Sequence, residues 1–154
     1  MMSQTPPAPG WLAVQAGGQS LLLPLTQCGE IHTTSLVQRL PHTRPWLLGV
    51  ANLRGQVVTV VDLAGYLGLP AVALSHEAAC GPLVALPTDL GVPAALLVGA
   101  LKGMRQPGAM QPDEAAEPPA WATCAWRDEA AQTWLGVDIA QMTRQLRFID
   151  VTAG

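Results

Sequence analysis

The stretch LPHTRPWLLGVANLRGQVVTVVDLAGYLGL, residues 40–69, decides how the rest of the chain is read. It runs as turn, strand, tight turn, strand and short helix, with an apolar segment before Asn52-Leu53-Arg54-Gly55 and the β-branched run Val57 to Val61 after it. Gly55 can take a positive backbone φ, so a reversal there costs little. Gly49 and Gly68 are read as further turn or cap positions. The second strand is apolar on both faces: Val57, Thr59 and Val61 point one way, Val58 and Val60 the other, up to Asp62. A strand covered on both sides belongs inside a barrel or between two packed layers. Arg54 is the only charge between Arg44 and Asp62, and it stands at the hairpin tip.

The flanking sequence reads mostly as further hairpins. Trp11 to Val14 and Ser20 to Leu25 form strands around Gly17-Gly18. Leu83 to Leu86 and Val92 to Val98 form a second pair around the turn-rich Pro87 to Gly91. Trp121 to Arg127 and Thr133 to Val137 form a third around Asp128-Glu129. Pro41 and Pro45 favour extended geometry before the central hairpin. Pro70 to Cys80 reads as a loop, and Met104 to Pro119, with four prolines and three acids, as a solvated connection. Ala64 to Leu67 makes one helical turn capped by Asp62 and ended by Gly68. A C-terminal helix begins at Asp138, which can cap it, with Gln141 three residues on and Ile139, Met142, Leu146 and Ile149 at helical spacing. Val61-Asp62-Leu63-Ala64 and Val137-Asp138-Ile139-Ala140 echo one another, each ending a strand and opening a helix. The echo suggests two similar half-domains.

With 154 residues, 49% of them hydrophobic, the chain can bury a core of its own. A net charge of -3 with a single lysine, Lys102, offers no phosphate-tracking stripe for nucleic acid. The polar, proline-rich Met1 to Gly10 lacks the basic and apolar regions of a secretory signal and is expected to be a loose tail. No apolar stretch reaches the length of a spanning helix, so the protein is expected to be soluble and cytoplasmic. Cys28, Cys80 and Cys124 form no pair at disulfide-framework or zinc spacing. His42 and His76 have no metal-ligand partner at suitable spacing, and no cofactor-binding glycine loop is present.

Pro45-Trp46-Leu47-Leu48-Gly49-Val50-Ala51-Asn52-Leu53-Arg54-Gly55, with Val60-Val61-Asp62-Leu63 and Leu67-Gly68-Leu69, resembles the signature of the CheW-like domain family. Its Trp-Leu-Leu-Gly-Val-Ala-Asn form is most similar to the PilI-type adaptors of twitching-motility (type IV pilus) chemosensory systems. The resemblance implies a mainly all-β fold: one CheW-like domain over residues 11–152, made of two SH3-like five-stranded β-barrel lobes around a shared hydrophobic core, with a short C-terminal helix. It implies a non-enzymatic adaptor without cofactor. Its partners would be the regulatory domain of a CheA-type histidine kinase and the cytoplasmic tip of a methyl-accepting chemoreceptor, which would recruit it to membrane-bound arrays; a flagellar-chemotaxis CheW is the near alternative. The sequence departs from the family in the second lobe, where Val98-Gly99 replaces the usual Val-Asp.

The candidate partner-binding residues are Arg54, placed at the groove between the lobes, with Asn52, Glu30, Ile31, Val98 and Trp46. Arginine suits the role because its guanidinium presents a fixed fork of donors to carboxylates or carbonyls. Asp62 and Asp138 are read as helix caps. Catalysis would need a base beside a nucleophile, and Cys28 with His32, four residues apart, is the one cluster that could be built into a small cysteine hydrolase.

Overall fold

The computed structural model describes residues 10–40, 46–70 and 78–145. The expected tail before Gly10, the prolines 41 and 45, His42, His76, and the helix positions Leu146 and Ile149 lie outside them. Gly10 itself is buried and its carbonyl accepts from Leu25 N at 3.2 Å, so this residue, read as part of the tail, is packed into the fold.

The N-terminal hairpin pairs β1 (Trp11–Ala16) with β2 (Gln19–Pro24). The chain then builds a lobe of its own from β3 (Ile31–His32), β4 (Ser35–Gln38), β5 (Leu47–Leu53), β6 (Gln56–Asp62), β7 (Ala78–Cys80), β8 (Leu83–Ala85) and β9 (Ala94–Leu97). Their order across the sheet is β3-β8-β9-β6-β5-β4-β7. It returns through β10 (Ala100–Arg105), β11 (Gln111–Pro112), β12 (Cys124–Arg127) and β13 (Thr133–Gly136), which join the N-terminal hairpin in the order β10-β1-β2-β13-β12-β11. Two curled sheets result. Each sheet exceeds the five strands per lobe that the family resemblance implies only by short pieces at its edges, β3 and β7 in one and β11 in the other.

Alternation along the strands places the core. On β1 and β2, Leu12, Val14, Leu21 and Leu23 face the space between the lobes, while Ala13 and Leu22 face inward onto Met110 and Trp134. In the other lobe Val61 and Leu96 join the shared core, and Val58, Val60, Ala95 and Leu97 fill the lobe's interior with Val37, Leu48 and Leu83. Strands β6 and β9, paired in parallel, therefore separate two cores, the reason for their unbroken apolar run. The double burial holds only from Val58 onward: Val57 is 63% exposed, because β9 begins pairing at Thr59 and leaves the start of β6 uncovered. Each fully buried leucine or isoleucine contributes about 1.5–3 kcal/mol.

Two short helices seal the shared core. α1 (Leu63–Tyr66) and α2 (Ile139–Thr143) follow β6 and β13, and both send side chains into it: Leu63 and Tyr66, Ile139 and Met142. Their caps differ. Asp138 Oδ1 accepts from Gln141 N at 3.1 Å, as the sequence suggests. Asp62 occupies the corresponding position but makes no side-chain cap bond; it is buried, and its backbone N–H donates to Trp46 O at 2.8 Å. Gly68 ends α1 at φ +83°. Gly49 is not a turn residue: it lies inside β5, where the register shifts, and a Cβ there would fall 1.9 Å from the Gln38 carbonyl oxygen. It is the close-approach point of β4 and β5.

The segments read as loop and connection contain strand residues, β11 among them. Ala100–Arg105, whose last two residues open the Met104 to Pro119 connection, pairs with β1 as an edge strand, and Ala78–Cys80, at the end of the Pro70 to Cys80 loop, pairs with β4. Neither carries β-branched residues, and β10 turns much of its surface to solvent, so no alternation marked it.

Candidate functional site

The β5–β6 hairpin closes through a two-residue turn in which Arg54 and Gly55 both have positive φ, +54° and +85°. This is the type I′ geometry whose twist matches paired strands. Asn52 Oδ1 accepts from Gly55 N at 2.8 Å and braces the turn. The sequence accounts for Gly55; the left-handed conformation of Arg54 it does not reveal. A non-glycine residue there costs of order 1 kcal/mol; among the described residues Ala131, at φ +63°, is the other non-glycine residue in this conformation.

Glu30 meets this tip from across the sheet. Its neighbour Gly29 donates N–H to Ala85 O at 2.7 Å, and Glu30 O accepts from Ala85 N at 2.8 Å, so the backbone is pinned to β8. The Glu30 carboxylate accepts from Arg54 Nε at 3.2 Å and from His32 Nε2 at 2.9 Å. Of the residues singled out in the sequence, Arg54, Asn52, Glu30 and Ile31 therefore come together at one end of the seven-stranded lobe. Ile31 is 39% exposed.

Two concavities flank the tip. One, of about 490 Å³, is lined by Leu53, Gln56, Val58, Leu86, Thr88, Val92 and Pro93 with Glu30 and Arg54 at its margin. The other, of about 510 Å³, runs over the outer face of β4, β5 and β6 past Leu36, Val50, Asn52 and Val57. The register places Leu36, Asn52 and Val57 in one cross-strand row, since Val37 opposes Ala51 and Asn52 opposes Val57. Leu36 is 57% exposed. Sequence reasoning missed Leu36 and Val57 and took His32 only as a partner for Cys28; an apolar pair such as Leu36-Val37 does not say which member faces out.

Three expectations are corrected. Arg54 does not stand between the lobes, because every residue lining the concavities around the tip, a third one past Ile31, Thr33 and Ser35 included, belongs to residues 29–94, the seven-stranded lobe and its connections. Among the described residues a cleft of about 330 Å³ at the lobe junction lies instead beside Tyr66, Trp121, Gln141 and Gln145. Val98 is 2% exposed and sits in the shared core, so its side chain is out of a partner's reach. Trp46 is 7% exposed and packs edge-on against Tyr66 with ring centroids 4.7 Å apart; it is a core residue.

Cys28 packs against the shared core, and burial pushes its thiol up to about 12. That is the opposite of nucleophile activation, while His32 is turned to Glu30. Burial also raises the Cys80 thiol. Among the described residues no cluster of three or more histidines, cysteines or acids could hold a metal, and no helix is long and apolar enough to cross a membrane.

Comparison with known proteins gives the same architecture. Over 94 residues the chain is 30% identical to Protein PilI of Pseudomonas aeruginosa, covering 61% of this chain and 51% of that one. It is 32% identical over 66 residues to Chemotaxis protein CheW of Bacillus subtilis, covering 43% and 42%. The matches thus span about half the length of these curated relatives, or less. The crystal structure of the scaffolding protein TtCheW from Thermoanaerobacter tengcongensis superposes with a TM-score of 0.69 over 92% of this chain and 96% of that one, at 16% identity, which shows a shared fold. The CheW-like domain pattern matches residues 10–147, and the chain belongs to the CheW-like domain family.

Proposed function

We propose that the protein is a non-enzymatic adaptor of chemotaxis-type signalling that couples the cytoplasmic tip of a methyl-accepting chemoreceptor to a CheA-type histidine kinase, working in the cytoplasm at receptor arrays. The observation that carries this reading is the hairpin tip: Arg54, strained at φ +54° and 79% exposed, is held by Glu30 beside the exposed apolar side chains Ile31, Leu36 and Val57. An ion with a supported stem and an adjoining apolar face supplies what a partner interface needs, and no reactive group is involved. The likeness to PilI favours a type IV pilus system; the likeness to a chemotaxis CheW supports a flagellar one as the second reading. Deleting the gene separates them, by loss of surface motility or of swimming bias.

Reversing the charge tests the site. Arg54→Glu is expected to abolish receptor-dependent kinase activation while circular dichroism stays parental, at a cost of about 2–5 kcal/mol in binding if the arginine meets a buried charge and less if it lies on the rim. An Arg54→Glu protein that binds both partners with parental affinity would remove Arg54 from the interface.

A further inference from the structure

One carboxylate oxygen, Glu30 Oε1, accepts from two donors at once, His32 Nε2 at 2.9 Å and Arg54 Nε at 3.2 Å. The side chains are held to different degrees: His32 is 17% exposed, Glu30 45% and Arg54 79%. His32 lies on β3, opposite Leu83 of β8, and Glu30 is pinned to the same strand through Ala85. The guanidinium is the member of the cluster free to leave.

We infer that His32 is a positioning residue for Arg54: through the carboxylate they share, it sets whether the guanidinium docks on Glu30 or swings outward to a carboxylate of the partner. This rests on the reading of Arg54 as a partner contact. With a neutral imidazole, Glu30 and Arg54 compensate one another. With an imidazolium, two cations compete for one carboxylate oxygen and the cluster gains a positive charge. A charge-assisted bond from the sheltered ring is stronger than its neutral counterpart, and repulsion between the two cations moves the exposed one outward. Imidazole side chains change charge between about pH 5 and 8, so mild acid is the direction that frees Arg54. Among the described residues around the cluster, β8 contributes Leu83, Val84 and Ala85, and the hairpin adds Asn52, Leu53 and Gln56. The turn after β8 adds Thr88, and its Asp89 lines neither concavity. Glu30 and Arg54 are thus the charged groups that face the ring.

The test uses the purified chain and needs no partner for its first arm. In nitrogen-15 NMR spectra recorded across a pH series, the Arg54 Nε–H signal should shift together with the His32 ring nitrogens, and His32→Gln, which can still donate to Glu30, should remove that dependence. A wild-type Arg54 signal that stays fixed across this series, or one that still moves in His32→Gln, overturns the proposal. The second arm measures binding of a purified receptor cytoplasmic fragment. Wild-type affinity should rise about fivefold from pH 7.5 to 6, the effect of one added charge near a partner carboxylate in a water-like dielectric, and His32→Gln should stay flat. Equal pH slopes in wild type and His32→Gln count against the proposal. Arg54→Glu distinguishes the two levels, since parental binding by that variant overturns the contact reading itself, whatever the spectra show.

Discussion

Replacing Arg54 by glycine and by alanine separates the backbone cost of the hairpin tip from the chemistry of its side chain. Both substitutions delete the guanidinium and the ion pair to Glu30, a largely exposed interaction of about 0–1 kcal/mol, so that loss cancels between them. What remains is the backbone at φ +54°. Alanine bears the left-handed penalty of about 1–2 kcal/mol; glycine avoids it but gives back about 0.4–1 kcal/mol through its larger freedom in the unfolded chain. At the middle of these ranges Arg54→Gly should therefore be more stable than Arg54→Ala by about 0.8 kcal/mol. At about 2–4 °C per kcal/mol for a chain of this size, the Tm values should differ by about 1–4 °C. Urea denaturation followed by circular dichroism, with equal m-values, reads the same difference as a shift in midpoint. Both variants should lose partner affinity equally. An alanine variant as stable as the glycine one would mean that Arg54 is not left-handed and that the turn is of another type.

Three other perturbations test the frame around the site. Gly49→Ala places a Cβ 1.9 Å from the Gln38 carbonyl oxygen and 2.9 Å from Arg39 Cα; since both are backbone, a loss of at least about 1–3 kcal/mol is expected in thermal denaturation. Asp138→Ala removes the α2 cap and leaves Gln27 without the acceptor it reaches at 2.9 Å, so a loss of about 1 kcal/mol is expected by urea titration. Asp128 accepts from Trp134 Nε1 and from the backbone N–H of Gln132 and Ala130, which lowers its pKa from 3.8. A depressed folded-state pKa gives stability that is present above the unfolded value and is lost as pH falls through the folded one. Asp128→Asn should accordingly be less stable than wild type at pH 7, with the gap closing below about pH 4; a gap independent of pH would refute the assignment.

The central hairpin was legible because two independent signals coincide there: a glycine able to reverse the chain, and a β-branched run apolar on both faces. The structure supplies the reason for that run, since Val61 and Val60 face different cores. α2 was legible through its cap, although Gln27, from the other end of the chain, is as much a part of that cap: its Oε1 accepts from Ile139 N at 2.6 Å and Ala140 N at 3.2 Å. No local pattern announces a partner 112 positions away. β10 was illegible for a different reason: ALKGMR has neither strand propensity nor alternation, and it is a strand because β1 offers it an edge. Tertiary context overrides propensity most easily in such pieces.

The candidate site shows the same division between chemistry and placement. Composition and spacing identified Arg54 as an isolated ion at a hairpin tip, and family resemblance supplied Glu30, but which surface they share depended on how the lobes close. α1 and α2 both drop apolar residues into the space between the sheets, and Leu63 and Ile139 reach 0% exposure there. The lobe junction therefore spends its apolar surface on folding. At the far end of the seven-stranded lobe the start of β6, paired with β5, runs past β9 and has no strand on that side, and Val57, with Leu36 in the same cross-strand row, remains in solvent. Apolar area that folding leaves uncovered is available for binding. Val98 and Trp46 fail as contact residues by the same logic, because each is already buried, whereas Arg54, Ile31, Leu36 and Val57 present side chains that the protein's own core does not use.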